Sequence, residues 1–179
     1  MASHKPASSK SSEVFEIEEA TVVELQGAME RNVLSAIALV DHYLARIKRF
    51  DSQLNAFISL NPYAQATAAS LDQERAAGQL RGLLHGIPIV VKDNINTAEL
   101  PTTGGCEALA TLQPSQDAFT VEQLRAAGAI VLGKANLHEL AGRGETISSL
   151  GGQTHNPYHL DYTPGGSSGG TAAAIAANW

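Results

Sequence analysis

Apolar and polar positions along this chain alternate between a helical rhythm and short, dense runs. Thr21-Val22-Val23-Glu24-Leu25 opens a helix with a capping residue and Glu24 three places later. Ile37, Val40, Leu44 and Ile47 recur at helical spacing and line one face of a second helix that begins near Ser35. Residues 54–60, Leu-Asn-Ala-Phe-Ile-Ser-Leu, read as a short strand closed by Asn61-Pro62. The Ala-, Gln- and Glu-rich stretch 63–77 predicts a third helix, with Gly78 as its stop.

After Gly86 the pattern tightens. Ile87-Pro88-Ile89-Val90-Val91-Lys92 is a β-branched run with a proline at its start, the pattern of a buried strand. Residues 98–115 carry Pro101, Gly104, Gly105 and Pro114 and read as a loop. A helix over 117–127 and a strand over 129–132 follow as a short αβ unit. Gly133-Lys134-Ala135-Asn136 then leads into a helical turn around Leu137–Leu140. Residues 142–163 lack a periodic apolar pattern and predict an ordered surface loop. The elements together predict an α/β fold, helices over a mixed sheet with strands near 54–60, 87–92 and 129–132, and no internal repeat.

Composition narrows the class. The chain has 179 residues, 44% hydrophobic and 17% charged, enough for one domain with a sizeable core. A disordered polar tail is expected over 1–16 and one domain over 17–179. The formal charge of −6, without a basic cluster, argues against a nucleic-acid partner. No apolar run approaches the roughly 20 residues of a membrane span. The N-terminal stretch lacks the apolar segment of a secretory signal. Cys106 is the single cysteine, so no internal disulfide can form, and a reducing, cytoplasmic location is expected.

Two features carry candidate chemistry. Pro164-Gly165-Gly166-Ser167-Ser168-Gly169-Gly170 is a glycine-rich turn that runs straight into an alanine helix. Such a turn can expose backbone amides, and a helix start favours oxygen and negative charge. At the end of the buried strand stand Lys92, Asp93 and Asn94, where α/β proteins commonly place their sites. Lookalike motifs fail on their context. Gly128 to Lys134 spells most of a phosphate loop, but its middle is an apolar strand and Ala135 stands where a hydroxyl is needed. Gly166-Ser167-Ser168-Gly169-Gly170 matches a nucleophile elbow, yet no Asp, Glu or His follows Ser168. Histidines at 4, 42, 85, 138, 155 and 159 form no ligand pair on one helix, and each reads as a surface or hydrogen-bonded residue.

Four blocks in order, His85 to Asn94, Gly133 to Asn136, Gly152-Gln153-Thr154-His155-Asn156-Pro157 and Pro164 to Gly170, resemble the amidase signature family. The resemblance covers roughly 17–179, the N-terminal part of a longer family domain. It implies the amidase signature fold, with the sheet incomplete in this chain, and hydrolysis of a carboxylic amide by a Ser–Ser–Lys triad without metal or cofactor. By motif position Lys92 matches the catalytic lysine, and Ser167 the bridging serine behind a cis peptide after Gly166. Ser168, Asp93, Asn94, Gly165, Gly166, Gly169 and Gly170 are expected to support them. The family nucleophile is a further serine in a later glycine-rich segment, so the chain as given is expected to be inactive. The implied partner is a small amide, with neither nucleic acid nor membrane, and a homodimer is open to a longer parent. Two other readings stand beside this one: the A subunit of a glutamine-dependent aminoacyl-tRNA amidotransferase, and a non-catalytic fragment. Against the former, Leu137-His138-Glu139-Leu140 replaces the Met-Asp-Glu-Phe of the amidotransferase pattern. Residues 139–145 are expected to line part of the acyl pocket.

Overall fold

The computed structural model describes residues 15–179. Most of the expected tail therefore lies outside the described residues, while Phe15 packs half-buried against the main core. Helix α1, Val22–Glu30, is started by a full capping box: Glu24 N–H donates to the Thr21 hydroxyl, and Thr21 N–H donates to the Glu24 carboxylate. Helix α2, Ala36–Leu54, is capped by Ser35, whose hydroxyl accepts from Ala38 N–H. Asp72, on α3 (Ala64–Ala76), accepts from the N–H groups of Ala36 and Ile37, so a carboxylate sits on the positive end of α2.

The helix α2 runs further than its pattern suggested. Leu54 is its last residue, and Asn55 turns the chain with φ 53° and ψ 46°. Asp51 accepts from Ala56 N–H at 2.7 Å and closes that turn. The strand expected from Leu54 therefore starts later, as β1, Phe57–Leu60. Strand β2 is Pro88–Lys92, helix α4 is Phe119–Ala126 and strand β3 is Ile130–Ala135. A two-residue hairpin, β4 (Ile147–Ser148) with β5 (Gly152–Gln153), lies inside the expected loop. Helix α5, Gly169–Ala176, closes the order.

The sheet is mixed, as expected, with β3 central, antiparallel to β1 and parallel to β2. Every residue of β3 is buried, because both faces are covered. Ile130 and Leu132 join the main core with Leu39, Val40, Leu71 and the α5 residues Ala173 and Ala174. Val131 faces a smaller cluster of Val91, Leu100 and Val121. One irregularity decides where the polar groups go. Ile89 pairs with Val131 but Val90 pairs with Gly133, so Leu132 is an extra residue, a bulge. The bulge reverses the alternation beyond it: Lys134 shares a face with Val91, and Ala135 shares one with Lys92.

Candidate active site

Lys92 closes β2 beside Ala135, half-buried on the face that α5 crosses. Its Nζ donates to the Ser167 hydroxyl at 2.7 Å, bringing together residues 75 apart in sequence. The Gly166–Ser167 peptide is cis. Ser167 is also held through its backbone, since His138 N–H donates to its carbonyl at 3.0 Å. Burial lowers the Lys92 amine below the ordinary lysine value, and no carboxylate opposes that shift. The pair can therefore exchange a proton: a lysine of lowered pKa adjoins a hydroxyl within transfer distance.

Close approach explains two of the glycines. A side chain on Gly170 would collide with the Asn136 carbonyl and lie 2.6 Å from that of Ala56, and Gly170 N–H donates to Asn136 O at 3.1 Å. Gly169 lies equally tight against Thr146 and Pro164. Ser168 is the N-cap of α5. It is exposed, its hydroxyl makes no capping bond, and its carbonyl accepts from Ala172 N–H at 3.0 Å. Gly165 takes φ 78°, and both it and Gly166 are exposed.

Asp93 follows Lys92 but turns to the opposite face and is fully buried. One carboxylate oxygen accepts from Thr103 N–H at 3.1 Å and from the Thr103 hydroxyl, and its other oxygen lies 3.4 Å from Lys134 Nζ. Asn94 is exposed, and its side chain enters no hydrogen bond among the described residues.

Three residues outside the expected set build the surroundings. Lys134, wholly buried, donates to the Ile95 and Pro101 carbonyls and to the hydroxyls of Thr97 and Thr102 at 2.8–3.2 Å. Burial lowers its pKa while Asp93 pulls the other way. Asn136 is saturated: its amide donates to Gly152 O and the Thr154 hydroxyl, and its oxygen accepts from Leu137 N–H and the Ser148 hydroxyl. Both stand in the Gly-Lys-Ala-Asn block, the signal from which they could have been found. Thr146 donates its hydroxyl to Gly165 O at 2.6 Å and accepts from Gly169 N–H at 3.0 Å. Nothing in its local pattern marked it. Among the described residues no three His, Cys, Asp or Glu side chains gather as a metal site.

Known proteins share this sequence pattern and fold. The sequence profile of the Amidase family matches residues 38–179. The crystal structure of native peptide amidase from Stenotrophomonas maltophilia superposes with a TM-score of 0.86 at 48% identity, covering 89% of this chain and 34% of that one. An amidase family protein from Bacillus anthracis gives a TM-score of 0.83 at 40% identity, over 89% of this chain and 34% of its own. The A subunit of glutamyl-tRNA(Gln) amidotransferase from Synechococcus sp. is 42% identical over 157 residues, 87% of this chain and 32% of that protein. The chain thus spans about a third of the length of these relatives.

Proposed function

The chain belongs to the Amidase family, and from that premise we propose that it carries the base and proton relay for hydrolysis of a carboxylic amide to an acid plus ammonia or amine. The observation that carries the reading is the 2.7 Å contact between Lys92 Nζ and Ser167 Oγ. Neutral Lys92 takes the Ser167 proton while Ser167 takes one from the attacking serine, whose oxygen bonds the amide carbon. The tetrahedral adduct collapses, the C–N bond breaks, and the leaving amine receives the proton returned from Lys92 through Ser167. Water then cleaves the acyl ester by the same relay. The attacking serine is the further serine that the family resemblance implies in a later glycine-rich segment.

The likeness to peptide amidase supports an amide as substrate. The reaction needs no metal or cofactor. The single Cys106 and the charge of −6 support a cytoplasmic protein acting on a small molecule, without nucleic-acid or membrane partner. Among the described residues no helix is long and apolar enough to cross a membrane. A second reading, the A subunit of an amidotransferase, is supported by the Synechococcus relative. The His138 and Leu140 departures and the higher identity to peptide amidase weigh against it.

Ammonia release, measured on this chain and on a polypeptide extended to the length of the relatives, tests the proposal. Background turnover is expected for the chain alone and clear turnover for the extended form, with Lys92→Ala slowing the latter about 10²–10⁴-fold. Undiminished activity in Lys92→Ala would remove the relay. Turnover by the chain alone would make Ser167 or Ser168 the nucleophile instead.

A further inference from the structure

We infer that Thr146 is a positioning residue for the Lys92–Ser167 pair: its one hydroxyl ties together the two ends of the turn that presents Ser167. This rests on the relay reading above but is argued from geometry alone. The hydroxyl donates to Gly165 O at 2.6 Å, before Ser167, and accepts from Gly169 N–H at 3.0 Å, after it. Thr146 and Gly169 are buried, so water does not compete for the bond between them, while the bond to Gly165 lies nearer the surface. No other side chain bonds both limbs of this turn among the described residues.

The backbone at Thr146 points the same way. Its φ is 58°, in the left-handed region, which a β-branched residue adopts only against steric cost. Glycine or asparagine would sit there more easily, but neither carries a hydroxyl that can donate to one carbonyl while accepting from one amide. The conformation is enforced from behind: Thr154 N–H donates to Thr146 O at 3.0 Å, across the β4–β5 hairpin, and Gln153 Nε2 donates to the same oxygen. The turn is shaped to receive the hydroxyl, since a Cβ on Gly166 would lie 2.8 Å from Thr146 Oγ1 and one on Gly169 would overlap it. Threonine and the two glycines are thus one fitted unit. Observed strain at a buried residue that grips a candidate site argues for a working role.

The test uses the 179-residue chain with Thr146→Val, which keeps the shape and loses the hydroxyl, and Thr146→Ser, which keeps the hydroxyl. Hydrogen exchange of the Gly169 amide and the NMR titration of the Lys92 ε-amine are read in each. In Thr146→Val the Gly169 amide should exchange roughly tenfold faster. The Lys92 titration should move toward that of an ordinary lysine as the loosened turn admits water. Thr146→Ser should restore both. An unchanged Lys92 titration in a folded Thr146→Val chain overturns the inference. If the valine variant does not fold, the unaltered chain still decides: a Gly169 amide exchanging at the rate of an open loop overturns the clamp, and a protected one supports it. These readouts do not involve amide turnover, so failure of the hydrolysis assay with an intact titration shift would count against the reaction and leave Thr146 in its place.

Discussion

Lys92 and Lys134 stand on neighbouring strands, and burial lowers both, yet their surroundings separate their work. Lys134 has Asp93 at 3.4 Å and four further oxygens as acceptors, a setting that holds a cation. Lys92 has a hydroxyl and no carboxylate, a setting that releases a proton. The sign of its pH effect follows. A lysine whose pKa lies below the ordinary value is protonated, and useless as a base, at pH below that lowered value; it becomes active as pH rises through it. Amide turnover by the extended polypeptide should therefore fall on the acid side, and the limb should vanish in Lys92→Arg, which stays charged throughout. A pH–rate profile flat down to acid would separate Lys92 from the chemistry.

Strand β3 is the element on which this separation depends. Without the extra Leu132, strict alternation would bring Lys134 to the face of Lys92 and α5; the bulge sends it to the other side, over Asp93 and Thr102. Lys134→Met removes the cation and strands a buried carboxylate, which costs about 3–5 kcal/mol. Asp93→Asn with Lys134→Met should cost clearly less than the sum of the single changes. Urea unfolding of all three variants checks the coupling, and strict additivity would deny it. Here the limit of sequence reading is physical. The capping box at Thr21, the cap at Ser35 and the β-branched run 87–92 are local signals, and α1, α2 and β2 followed from them. Gly133-Lys134-Ala135 looked like the way out of a strand because glycine and lysine are poor strand formers. They are strand because β1 and β2 pair on both sides and because loop 95–102 supplies oxygens to the amine. Leu54 and Asn55 were misjudged for the converse reason, since Asp51 sets that turn from within the helix. Lys92 and Ser167 could be named from motif order, whereas Thr146 depends on a fold no local window contains.

At the scale of the whole molecule, the described residues expose much apolar surface. Leu83 is 88% exposed, Phe119 73%, Tyr158 85% and Ile175 62%, and β1 and β2 are both edges of the three-stranded sheet. Unpaired edges and exposed large side chains favour association. The 179-residue chain should elute in size-exclusion chromatography as concentration-dependent assemblies, and a monomer at every concentration would refute this. The 75-residue gap between Lys92 and Ser167 has a consequence in time. A ribosome adding about 5–20 residues per second needs roughly 4–15 s to travel from one to the other. During that interval β2 can pair with β3 once Ile130–Ala135 has been made, but the lysine has no hydroxyl to meet and stays a hydrated cation. The Lys92–Ser167 pair thus forms well after the strand that carries its lysine has been made. Nascent chains stalled before Pro164 should carry a Lys92 that reacts with amine reagents like any surface lysine, and stalling after α5 has emerged should change that reactivity.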